Sequence, residues 1–124
     1  MRHYLILYIK FNNTFKNTKM SSNYSKHQID RMKDAIEAEK SKIADSQADI
    51  TSVRNRKKSR AESYAYKIQS TSSSASKANL RSSRADEWRE FARIIDKEKE
   101  VIASCRERIS RYREDIKRER QRNN

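Results

Sequence analysis

The sequence predicts an all-α protein, an antiparallel two-helix coiled-coil hairpin, on three observations. The 124 residues include no Gly and no Pro, the residues that shape most turns in sheet proteins. Isoleucines recur every seven residues in two separate series, the spacing of a helix-packing seam. A serine-rich tract divides the two series. Charged residues make up 38% of the chain and hydrophobic ones 34%. That balance excludes a thick globular core but suits long helices packed along narrow stripes. Disorder has a similar composition, and the periodicity decides between the two.

Residues 1–22 read as a leader, either unstructured or an upstream extension. The first nineteen hold four basic residues and no acidic one, in contrast to the Ser-, Arg- and Glu-rich remainder. The apolar run Leu5–Ile9 is far shorter than the roughly 20 residues that span a bilayer. Lys10 closes it early and no small-residue cleavage site follows, so it makes a poor secretion signal. Met20 is the expected natural start. A short strand or a membrane-touching segment is the alternative for the leader.

The helical hairpin is expected over 23–124. In its first helix, about 25–69, Ile29, Ile36, Ile43 and Ile50 lie seven apart, and Tyr64 continues the column after Lys57. Met32 and Val53 occupy the companion column. In the second helix, about 83–120, Trp88, Ile95, Ile102, Ile109 and Ile116 lie seven apart. Phe91, Cys105 and Tyr112 stand three residues beyond members of that series. A seven-residue repeat implies a left-handed supercoil. Ser25-Lys26-His27-Gln28 and, more weakly, Ser83-Arg84-Ala85-Asp86 fit capping boxes at the two helix starts.

The connection is expected at about 70–82, because Ser70–Ser76 holds five Ser and one Thr in seven residues, and serine competes for backbone hydrogen bonds. The rival architecture is one long helix in a coiled-coil oligomer. One apolar column stays in phase across the tract, while its neighbour changes flank, which favours the hairpin. Glu39, Ser46, Lys57, Arg60 and Glu98 interrupt the seams where an ideal zipper is apolar. A hairpin so interrupted is expected to bury its apolar columns against further helices, from a second copy or another protein. The partner-binding seam is therefore read as Ile29, Ile36, Ile43, Ile50, Trp88, Phe91, Ile95, Ile102, Ile109 and Ile116.

The chemistry of the side chains points to binding and not to catalysis, with no cofactor, metal or small-molecule substrate expected. His3 and His27 are far apart in sequence, and neither has a Cys or carboxylate at ligand spacing. A phosphate-cradling glycine loop needs glycine. Cys105 lies on a seam, where a buried, inert thiol is expected. Thirty basic residues face seventeen acidic ones, for a net charge of +13, a balance that attracts polyanions or acidic protein faces. Arg54, Arg56, Lys57, Lys58 and Arg60 are the candidate polyanion contacts, and a second basic run extends from Arg106 to Arg122.

Helix, serine-rich connection, Trp near the start of a second helix and an Ile-heptad tail together resemble the small helical-hairpin proteins of Gram-positive type VII secretion. Two branches of that group share the layout: the Trp-Xaa-Gly hairpins, and the small helical partners encoded beside LXG toxins. Residues 20–124 match in length. Trp88-Arg89-Glu90-Phe91, followed by Ile95-Asp96, is similar to the second helix of the toxin-partner branch. Glu90 stands where the Trp-Xaa-Gly branch has glycine. Tyr112 is followed four residues on by Ile116, not by the acid of the usual export signal. The resemblance implies a protein that binds the helical targeting domain of a toxin and helps present it for export. It also implies that Trp88 and Phe91 anchor the hairpin near its turn and that the Ile columns face the client. Localisation is expected to be cytoplasmic, with export alongside a partner. A basic nucleic-acid-associated coiled coil of a phage or plasmid, and a structural coiled-coil assembly part, are the alternatives.

Overall fold

The computed structural model describes residues 18–122, with side chains from Tyr24 onward. They form two helices, α1 (Thr18–Ser70) and α2 (Ser74–Arg122), joined as a helical hairpin with no strand among the described residues. The single-long-helix alternative is thereby set aside. Leu5–Ile9 and His3 lie outside the described residues. α1 already runs through Met20 and the last residues of the expected 1–22 leader.

The connection is residues 71–73, much shorter than the expected 70–82. Three residues suffice for a tight helix–helix turn, and none of the described residues needs a positive φ. Hydroxyls do the work that glycine does elsewhere. At the end of α1, Ser70 Oγ donates to the Tyr66 carbonyl and Thr71 Oγ1 to the Lys67 carbonyl, both at 2.8 Å. Lys67 adds a favourable charge at that negative helix end. Ser73 is the N-cap of α2. Its Oγ accepts from the Ser76 amide at 3.3 Å, and its carbonyl accepts from the Lys77 amide at 3.0 Å. Ala75, Lys77, Ala78, Leu80 and Arg81 are good helix formers, so α2 begins nine residues before the expected Ser83.

Both expected capping boxes thus fall inside helices. Ser25 reaches across to the other helix, donating from Oγ to Glu119 Oε1 at 2.5 Å. Gln28 turns to Tyr24, its Nε2 donating to the phenol oxygen at 3.4 Å.

The chain divides into two compact units: a terminal unit, Met1–Glu39 with Glu107–Asn124, and a turn unit, Lys40–Arg106. In the turn unit, Ile50, Val53 and Tyr64 of α1 and Phe91, Ile102 and Cys105 of α2 are buried, with Ser46 among them. Each large apolar side chain so buried contributes roughly 1.5–3 kcal/mol. In the terminal unit, Ile36, Ile109 and Ile116 share the interior with Ser25, Gln28, Glu39 and Glu119. Antiparallel pairing there is fixed by Ser25 with Glu119 and by Glu39 with Arg108, whose Nε lies 3.0 Å from Oε1. The heptad interruptions Glu39 and Ser46 are therefore true seam positions, buried like the isoleucines beside them.

Candidate interaction surfaces

The most elaborate side-chain cluster in the turn unit centres on Glu87. Arg60 donates to it with both arms of its fork, Nε to Oε1 at 3.0 Å and Nη2 to Oε2 at 3.1 Å. The Tyr64 hydroxyl donates to the same carboxylate. The Arg60 bond, then that of Tyr64, holds the Glu87 carboxyl below its ordinary range. The bond to Glu87 in turn raises the Tyr64 phenol and the Arg60 guanidinium. Tyr64 meets Trp88 edge-on at 6.0 Å between centroids, and Trp88 packs against Phe91 at 5.9 Å. Lys57 Nζ sits 5.4 Å from the Trp88 ring centroid, and the Arg60 guanidinium 5.0 Å from that of Tyr64. Trp88 thus packs directly onto α1 close to the turn, and Phe91 is buried beside it.

This geometry revises the partner-binding seam. Ile36, Ile50, Phe91, Ile102, Ile109 and Ile116 are 6–7% exposed. The two helices have spent these side chains on each other, so they form the hairpin interior and not an open docking face. Ile29, Ile43, Trp88 and Ile95 remain partly accessible.

The basic cluster at 54–60 is revised as well. Seven consecutive helical residues make about two turns and point in every direction. Arg54, Arg56, Lys57 and Lys58 are exposed on different sides of α1, while Arg60 is committed to Glu87. In the second basic run, Arg108 pairs with Glu39, Arg111 with Glu107, Arg118 with Asp115 and Arg122 with Glu119.

What sequence reasoning missed is how the two flanks of the turn unit differ. On α2, Leu80, Glu87, Ile94 and Val101 lie seven apart, a third column along one side of the seam. Glu87 is used by Arg60 and Tyr64, but Leu80 and Ile94 are only partly buried and Val101 is 39% exposed. On the opposite side of the seam, Arg54 of α1 and Lys99 and Arg106 of α2 edge a groove between the helices. Ile50, Ile102, Thr51 and Ala103 line its interior. The seven-residue spacing of Leu80, Glu87, Ile94 and Val101 is visible in the sequence. The basic groove needs the pairing of the two helices to be seen.

Among the described residues no group of three or more His, Cys, Asp or Glu is arranged to hold a metal ion. Cys105 is wholly buried and His27 exposed. No described helix is long and apolar enough to cross a membrane. No family model, curated protein or solved structure matches the chain.

Proposed function

We propose that this hairpin is a helix-pairing module that docks a helical, net-acidic protein partner against the Leu80–Ile94–Val101 flank of the turn unit. One observation carries the reading. A strict two-column stripe is what a two-helix coiled coil needs, whereas a third apolar column is the mark of a helix facing a larger bundle. α2 has that third column, and α1 leaves it incompletely covered, with Val101 39% exposed. A second copy is a poor occupant, because the net charge of +13 sets like charges against each other. An acidic helix brings both the missing apolar surface and the complementary charge. A type VII-exported toxin with a helical targeting domain is a partner of this kind, and the resemblance of Trp88-Arg89-Glu90-Phe91 to the toxin-partner hairpins supports it.

The test is co-expression with each helical protein encoded beside this one, followed by co-purification and light scattering. Wild type is expected to give a stoichiometric hetero-complex. Ile94→Glu with Val101→Glu is expected to abolish it while leaving the helical circular dichroism of the free hairpin intact. Ile102→Asp is the wrong probe, since it disrupts the hairpin interior. A wild-type protein that stays a lone monomer with every such neighbour would overturn the reading. So would a homo-oligomer held together by the same flank.

A further inference from the structure

From the groove on the other flank of the turn unit, we infer a second, independent binding surface: a phosphate-backbone site for double-stranded nucleic acid formed by Arg54, Lys99 and Arg106. Three features carry the inference.

The first is charge segregation. Gln47, Thr51 and Arg54 of α1 and Lys99, Ala103 and Arg106 of α2 line the groove around its two isoleucines, and none is acidic. Solvated protein surfaces ordinarily interleave both signs. This chain does so elsewhere, with Asp86–Arg89 and Glu90–Arg93 paired on the outer face of α2. The three rim cations make no ion pair among the described residues, and all are exposed. Cations placed together without acids repel one another, and an anionic ligand relieves that repulsion.

The second is the kind of anion. A protein helix binds by burying an apolar stripe. The apolar side chains of this groove, Ile50 and Ile102, are each only 7% exposed, so a helix finds almost nothing to bury here. Attraction on this flank is electrostatic, as it is for a polyanion. Single strands are held largely by stacking on aromatic rings, and no aromatic residue lines this groove. Duplex phosphates need only positioned cations.

The third is spacing. Lys99 and Arg106 lie two helical turns apart on one side of α2, about 10.5 Å along its axis. Phosphates of one duplex strand rise by about 3.4 Å each along the helix axis. Cations so spaced follow a backbone without reading bases, so the binding is independent of sequence.

The experiment measures binding of a fluorescent random-sequence DNA duplex to the full chain over a range of NaCl concentrations. Three phosphate contacts predict that log K falls against log[salt] with a slope of about −2.7. Arg54→Gln/Lys99→Gln/Arg106→Gln is expected to weaken binding at least tenfold at low salt. Arg56→Gln/Arg93→Gln/Lys97→Gln removes the same charge from other exposed positions of the unit and is expected to change affinity less than threefold. Circular dichroism confirms that both variants remain helical. Equal losses in the two variants, or no duplex binding by wild type at about 20 mM salt, would overturn the site. Binding of polyglutamate that depends on the rim, without duplex binding, would reassign the groove to an acidic protein. These outcomes are separate from those of the apolar flank, which the rim variants leave unaltered.

Discussion

Glu87 takes hydrogen bonds from Arg60 and Tyr64 and so links the two helices beside the turn. Because its carboxyl is held below the ordinary value of 4.5 by those bonds, the sign of its pH dependence follows. The folded state binds the Glu87 proton more weakly than the unfolded chain does. Its stabilising contribution is complete above the unfolded value and is lost as pH falls through the lower folded value. Acid titration of the thermal midpoint is therefore expected to show a component below pH 4.5 that Glu87→Gln removes. An unchanged acid profile in that variant would show that the bonds contribute nothing. The other polar pairs matter for register. Sliding one helix by a heptad would set Glu39 opposite Val101 or Asp115 in place of Arg108, and Arg60 opposite Leu80 or Ile94 in place of Glu87. Each slip strands a charge against an apolar group or a like charge. The sequence flagged Glu39, Ser46 and Arg60 as interruptions of an apolar seam. Their buried or paired roles emerge only once the opposite helix is in place.

At the scale of the elements, the helices and the region of their break were legible and their ends were not. Heptad spacing marked Ile36, Ile50, Ile102, Ile109 and Ile116 because burial depends on a periodicity that the sequence shows directly. Caps depend on one hydrogen bond each, and four-residue patterns such as Ser25–Gln28 arise readily in a serine-rich helix. The turn is made by Thr71, Ser72 and Ser73, and Ser73 alone caps α2. Ser73→Ala is expected to destabilise the hairpin by about 0.5–2 kcal/mol, measured by chemical denaturation. Ser83→Ala, at an exposed position inside α2, is expected to be neutral or stabilising by roughly 0.5 kcal/mol, because alanine is the better helix former. The reverse ranking would restore Ser83 as the start of the helix and put the connection back at 70–82. The candidate surfaces follow the same division. The column Leu80, Glu87, Ile94 and Val101 is a sequence period, but Glu87 interrupts its apolar run and two other columns already suffice for a hairpin. The basic rim draws Arg54 from one helix and Lys99 and Arg106, 45 and 52 residues further along the chain, from the other, so no local run of charge reveals it.

For the whole molecule, the decisive quantity is the excess of thirty basic over seventeen acidic residues. Folding brings these cations closer together than they are in the unfolded chain, so the folded state carries the greater self-repulsion. Ion pairs act in the opposite sense, but Arg89–Asp86, Arg93–Glu90 and Arg111–Glu107 are all well exposed, and pairs of that kind contribute about 0–1 kcal/mol each. Salt screens both effects over a Debye length of about 10 Å at 0.1 M. With repulsion the larger effect, the thermal midpoint of the free protein is expected to rise as NaCl increases from about 10 mM to about 0.3 M. Chloride serves better than sulfate here, since strongly excluded anions stabilise apolar burial in their own right. A midpoint that falls with NaCl would mean that the ion pairs outweigh the repulsion. A rising midpoint ties the composition to both proposed surfaces. The same excess charge that burdens the hairpin alone is what an acidic helix on one flank, or a phosphate backbone on the other, would neutralise.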